Sequence, residues 1–299
     1  MSESAISPQA KHLWRLIREG PKQIELPFPQ KREMGEHAED LTVEPEGVRY
    51  EAAQDIGGLW AVPENARAGA AILYLFGGGY IISSPHSRRK TAGHLARASG
   101  ARAHVPNYRL APEHPFPAAV DDATAAYRWL LKQGARPEQT VVAGDSSGGG
   151  LTVATLLRIR ATTLPMPAGG VPISPWADLT CSGASFATRA SADICVTREG
   201  LLAMAADYLH GVDARDPEAS PAFADVTGLP PLFVLVGGDE VLLDDAIDLA
   251  RNGGVAGSGA TLYVGAGMQH VFPIYAGAMP EADAAIAAIG AWVSARTAG

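Results

Sequence analysis

Short apolar runs alternate with longer helical stripes along most of this chain. Ala71-Ile-Leu-Tyr-Leu75 is a continuous apolar run, the pattern of a strand covered on both faces. Residues 101–107, Thr140-Val-Val-Ala-Gly144, Gly170-Val-Pro-Ile-Ser174, Leu232-Phe-Val-Leu-Val236 and Thr261-Leu-Tyr-Val264 predict further short strands. Between and after them, residues 117–131, 148–162, 244–252 and 281–296 carry helical patterns; in the first, Ala119, Ala123, Ala126 and Leu130 share one face. This alternation predicts an α/β fold around a mostly parallel sheet. Upstream, Ser7-Pro8 followed by Ala10, Leu13, Trp14 and Ile17 predicts a capped amphipathic helix that Gly20-Pro21 stops. Residues 41–43, 48–52 and 58–62 alternate like strands joined by turns.

One interval breaks the rhythm. Residues 175–231 separate two strands where a loop of about 4–6 residues is usual, and long connections tend to be lids or inserted elements. Within it, residues 197–209 read as a helix with Leu201, Met204, Ala205 and Tyr208 on one side. The expected organisation is an N-terminal cap segment (1–40), a core (41–174 and 232–299) and a cap insertion (175–231).

Charge narrows the partners. The chain has 24 Lys+Arg against 32 Asp+Glu, a net −8 with no long basic run, which disfavours nucleic-acid backbones and anionic bilayers. Its longest uncharged apolar run, 68–82, is broken by Gly77-Gly78-Gly79 and falls short of the ~20 residues of a membrane helix. The first residues lack a basic stretch leading into an apolar one, so a cytoplasmic protein is expected. Cys181 and Cys195, the only cysteines, make no disulfide framework and are expected as small buried hydrophobes or reduced thiols.

The chemistry centres on Gly144-Asp145-Ser146-Ser147-Gly148, a G-x-S-x-G with a predicted strand before it and a helix after it. That context makes Ser146 a nucleophile on a sharp strand-to-helix turn. A serine hydroxyl needs a base and an orienting acid, in the order Ser, acid, His. Of the two histidines beyond Ser146, His210 ends a helix, where a dipole role suffices, and His270 follows a late strand, the place for a general base. Asp239, first off the preceding strand, is the expected acid; Glu240 is the adjacent alternative, and Asp244 reads as a helix N-cap. Gly77-Gly78-Gly79 after the first buried strand supplies backbone N–H groups for an oxyanion hole. Nucleotide-binding motifs and zinc motifs are missing, and His86 and His94 read as surface or helix positions, so no cofactor and no metal are expected.

Together, Phe76-Gly-Gly-Gly-Tyr80, Asn107-Tyr-Arg-Leu-Ala-Pro-Glu-His-Pro-Phe-Pro-Ala-Ala119, Gly144-Asp-Ser-Ser-Gly-Gly149, Asp239 and His270 resemble the hormone-sensitive-lipase-like bacterial esterases, within the α/β-hydrolases. The resemblance implies an α/β-hydrolase fold with a helical cap over the site. It implies a metal-free carboxylesterase acting through an acyl-enzyme on short- to medium-chain esters. By position it makes the N–H groups of Gly78, Gly79 and Ser147 the oxyanion donors, Glu113 and Asp145 supporting residues, and Phe76 and Tyr80 pocket residues. A homodimer is a further expectation from the family. Two departures stand out: Phe76 replaces the His of the family's His-Gly-Gly-Gly, which normally helps hold that loop, and Ser147 replaces the Ala of Gly-Asp-Ser-Ala-Gly. Open alternatives are a lactone hydrolase using the same triad and a non-catalytic ligand receptor on the same fold.

Overall fold

Parallel pairing of short buried strands sets the architecture. The computed structural model describes residues 6–20 and 26–298. The eight strands among them are β1 (Val48–Ala52), β2 (Leu59–Pro63), β3 (Ala71–Leu75), β4 (Arg102–Val105), β5 (Thr140–Asp145), β6 (Gly169–Ile173), β7 (Leu232–Gly237) and β8 (Ala260–Gly265). They form one sheet in the order β1-β2-β4-β3-β5-β6-β7-β8. β1–β2 and β2–β4 are antiparallel, and every later neighbour is parallel. Every residue of β3, β5, β6 and β7 is buried, as the unbroken apolar runs predict.

The helices are α1 (Pro8–Glu19), α2 (Phe28–Glu36), α3 (Arg89–Ser99), α4 (Ala118–Lys132), α5 (Ser147–Ala161), α6 (Ser185–Thr188), α7 (Arg198–Leu209), α8 (Leu243–Val255) and α9 (Pro280–Arg296). None is long and apolar enough to cross a membrane. The predicted cap of α1 is present: Ser7 Oγ accepts the Ala10 N–H, with Pro8 at the first helical position. Gly20 closes the helix; Pro21 lies outside the described residues.

Three local expectations need correction. Residues 41–43 are turn and irregular chain rather than strand: the Val43 N–H bonds Ala276 O and the Thr42 hydroxyl bonds Ile274 O, while Lys90 and His94 side chains reach Thr42 O and Val43 O, so no strand ladder forms. Asp244 is not an N-cap; Leu242 holds that position, and the Asp244 carboxylate instead accepts the Ser185 N–H at 2.8 Å. α2 and α3 went unpredicted. The buried face of α3 is Thr91, Ala92, Gly93, Leu95, Ala96 and Ser99, small residues with too little apolar contrast to mark a stripe.

Topology places the chemistry. The register pairs Leu75 with Gly144 and Asp145 with Ile173, so the carboxyl ends of β3, β5 and β6 lie side by side. Gly237 at the end of β7 pairs with Gly265 at the end of β8. The segments that follow these strands therefore crowd one edge of the sheet, where open α/β sheets carry their sites. α2 and the start of α7 reach the same edge and face a common cavity.

Candidate active site

Ser146 sits where β5 turns into α5, with φ 55° and ψ −122°. A non-glycine residue in that region is strained, by roughly 1–3 kcal/mol, and persists only where its surroundings enforce it. Here they do: Ser146 N–H donates to Ile173 O, and Ser146 O accepts from Gly149, Gly150 and Trp176. The flanking glycines are a steric requirement. A Cβ on Gly144 would stand 2.3 Å from Gly148 O, and one on Gly148 would stand 2.0 Å from Leu75 O.

His270 lies beyond β8. Its Nε2 is 3.0 Å from Ser146 Oγ, and its Nδ1 is 2.7 Å from Glu240 Oε2. A carboxylate can only accept, so Nδ1 carries the proton and Nε2 is free to take the hydroxyl hydrogen. The acid at the histidine is thus Glu240, the alternative, and the expectation for Asp239 is corrected. Asp239 remains half-exposed, with its N–H on Met268 O, while Glu240 is fully buried. The turn after β7 directs residue 240, not 239, inward. There Glu240 Oε1 accepts from Ser174 Oγ at 2.6 Å and from the Gly237 N–H at 2.5 Å, so the carboxylate is bonded through both oxygens. Ser174, at φ 43° just past β6, also accepts the Val271 N–H at 3.0 Å and so joins the acid to the histidine's neighbour.

Burial works against the charged imidazole, but the Glu240 carboxylate outweighs it, with smaller help from Asp193 and Asp145, and His270 is held above its ordinary pKa. Ser174 and Asp193 are residues that the sequence reading missed. Ser174 at the carboxyl end of a central strand carried a usable signal; Asp193, inside the long interval, carried none.

The loop after β3 is held from several sides. Gly77 N–H donates to Asp145 Oδ1 at 3.0 Å and Tyr80 N–H to Ser147 Oγ at 3.2 Å. Tyr108 Oη donates to Phe76 O at 2.5 Å, and Ala111 N–H donates to Tyr80 O. Between these anchored flanks lie Gly78 (φ 131°) and Gly79 (φ 61°), and both face the cavity with Ser146 and His270. Asp145 is buried and also bonded to Tyr74 Oη and Arg88 Nε, so it supports the loop directly.

Phe76 and Tyr80 do not line the cavity, which corrects their placement as pocket residues. Both are buried in the core: Phe76 stacks on Tyr108 with ring centroids 4.0 Å apart, and Tyr80 stacks on Tyr208 at 3.8 Å. That Phe76–Tyr108 stack, with the hydroxyl bond beside it, holds the loop at the position where the family pattern has His. Glu113 is exposed and pairs with Arg32 of α2, whose Nε in turn holds Ile81 O. Any support it gives the loop is indirect.

The cavity measures about 600 Å³. Met34 of α2, Leu201 and Met204 of α7, and Ile82, Val196 and Ile274 give it a mainly apolar wall. Trp14 packs edge-on against Tyr275 instead, and Tyr208 stays in the core. Cys181 is buried, its thiol pushed up to about 12 by burial, whereas Cys195 is exposed at the cavity wall. Among the described residues no cluster of three His, Cys, Asp or Glu side chains could hold a metal ion.

Known proteins resemble this chain in sequence and fold. The family profile described as the alpha/beta hydrolase fold matches residues 72–274. An acetyl-hydrolase of Streptomyces hygroscopicus is 42% identical over 281 residues, covering 89% of this chain and 94% of its own. The crystal structure of EstE5 soaked with p-nitrophenyl butyrate superposes with a TM-score of 0.92 at 43% identity, over 98% of this chain and 100% of that one. An esterase of the bacterial hormone-sensitive lipase family gives 0.92 at 41% identity, over 98% and 99%. With its mostly parallel sheet, serine elbow and ordered motifs, this chain belongs to the hormone-sensitive-lipase-like esterases of the α/β-hydrolase fold.

Proposed function

We propose that this esterase hydrolyses short- to medium-chain acyl carboxylic esters through an acyl-enzyme on Ser146. The observation that carries the reading is the unbroken relay Glu240–His270–Ser146, at 2.7 and 3.0 Å, on a cavity that Gly78 and Gly79 also line. In the first step Ser146 Oγ attacks the ester carbonyl and its proton passes to His270 Nε2, while Glu240 holds the tautomer and favours the imidazolium. The negative oxygen of the tetrahedral intermediate is received by the N–H groups of Gly78, Gly79 and Ser147, each worth on the order of 3–4 kcal/mol in such sites. His270 returns the proton to the departing alcohol. Water, deprotonated by the same imidazole, then attacks the acyl-Ser146 carbonyl and restores the hydroxyl.

α1, α2 and the interval 175–231 act as the cap in this reading, since α2 and α7, far apart in sequence, both wall the cavity. The mainly apolar wall supports an apolar acyl or alcohol group. A relative named for acetyl hydrolysis and a neighbour soaked with a butyrate ester support short acyl chains. The complete relay supports catalysis over ligand reception. A panel of p-nitrophenyl esters from acetate upward, together with lactones, tests the assignment. Turnover should be greatest on the short esters and vanish in Ser146→Ala; equal rates in the two proteins would overturn it.

A further inference from the structure

The long interval between β6 and β7 does more than roof the cavity. Residues 192–196 run across the two loops that carry the base and the acid, and buried side chains fasten them to both. Asp193 Oδ2 accepts the N–H of Val241, the residue after Glu240, at 2.8 Å. Its Oδ1 accepts the N–H groups of Cys195 and Val196, each at 2.9 Å. Gln269, the residue before His270, grips the same segment from the other side: its Oε1 accepts the Ile194 N–H and its Nε2 donates to Ala192 O, both at 3.0 Å. Asp193 and Gln269 are both buried.

From this arrangement we infer that Asp193 and Gln269 are positioning residues, a clasp that sets the acid and base loops relative to each other and to the substrate wall. The inference rests on the relay reading above. Three hydrogen bonds join this segment to the two loops and two more turn it around the Asp193 carboxylate, and those loops are the ones whose separation fixes the 2.7 Å contact of His270 with Glu240. The segment continues directly into the wall. Ile194, Cys195, Val196 and Thr197 line the cavity, followed by Leu201 and Met204 of α7. Met204 in turn rests on the loop after β3, since a Cβ on Gly79 would stand 2.2 Å from its sulfur. One stretch of chain thus touches the acid loop, the base loop and the glycine loop after β3.

Asp193 also acts through charge. Burial raises its pKa and the His270 cation lowers it, the mark of two groups that sense each other. The groups acting on the imidazole are Glu240 in contact, Asp193 from the clasp, and Asp145 from behind Ser146, itself paired with Arg88. Asp239 stands next to Glu240 in the chain, and Lys31 lies on the α2 wall. Of these, Asp193 is the carboxylate contributed by the inserted interval.

The test uses the full chain with Asp193→Asn, Gln269→Met and the double variant, assayed on a p-nitrophenyl ester across pH. Asp193→Asn keeps the volume, removes the charge and turns a donor toward a backbone N–H. It should lower kcat about tenfold or more with KM within threefold, and should move the acid limb of kcat/KM to lower pH, because the imidazolium loses a stabilising charge. Gln269→Met should lower kcat similarly without moving the limb, and the double variant should lose less than the product of the single effects. Wild-type kcat and acid limb in the folded variants, a rise in KM alone, or a loss of melting temperature with unchanged kcat would each overturn the clasp. If Asp193→Asn does not fold, the kcat and KM of Gln269→Met decide. Ser146→Ala and His270→Ala separate the two levels: full activity in either removes the relay itself, whereas their inactivity beside a wild-type Asp193→Asn removes only the clasp.

Discussion

The two sides of the site are rigid for different reasons. On the Ser146 side, backbone meets backbone: Gly144 and Gly148 let β5, α5 and the end of β3 approach so closely that no side chain fits, and Ser146 is forced into its strained conformation. On the Glu240 side, the main chain is also close, since a Cβ on Gly237 would stand 2.3 Å from Met268 O, but side-chain bonds add to the holding. Ser174 and the Gly237 N–H bond the Glu240 carboxylate, and Asp193 accepts the N–H of Val241 beside it. Steric enforcement fails all at once, because a Cβ cannot be partly accommodated between packed main chains. A hydrogen-bonded turn fails bond by bond.

That contrast can be broken experimentally. The largest effect is expected from Glu240→Gln, which cannot hold Nδ1 protonated with the same charge: kcat should fall about 10⁴-fold while the melting temperature stays near wild type. The acid limb of the surviving activity should move to lower pH. The sign follows from the direction of the shift: activity needs neutral His270, Glu240 raises the imidazole pKa, and its removal lets the neutral form persist further into acid. Gly148→Ala comes next and should show the opposite signature, a stability loss of about 3–5 kcal/mol in denaturant unfolding, because the new methyl would press on Leu75 O. Ser174→Ala should be milder. It removes one donor from Glu240 and one acceptor from Val271, and should cost about 1–3 kcal/mol, read as a roughly 10- to 100-fold fall in kcat/KM. The smallest effect belongs to Asp239→Asn, whose activity should stay within about twofold of wild type; a large loss there would reinstate Asp239 as the acid.

The same difference decides what could be read from the chain. The elbow was legible because its requirements are local: a strand, small residues at fixed offsets and a helix all fall within consecutive positions. The strand order of events, from the loop after β3 to His270, was legible for the same reason. Glu240 against Asp239 was not, since two adjacent carboxyl groups satisfy every local rule and only the direction of a turn packed against Met268 chooses between them. Phe76 and Tyr80 were misplaced because a motif gives proximity in sequence to the site, whereas each ring turns into the core to stack on Tyr108 and Tyr208, residues brought there by distant elements. Residues 41–43 show the reverse error, an alternating pattern with no strand beside it to pair with.

The N–H groups of Gly77 and Tyr80 donate to Asp145 and Ser147, the residues on either side of Ser146. In the proposed reaction, the spacing between the Ser146 oxygen and the main-chain amides opposite is therefore an internal dimension of one solid part, not a gap between two parts. Breathing of the roof or drift of the acid turn can change how often the reaction is prepared. Neither can change how far apart its two fixed poles stand.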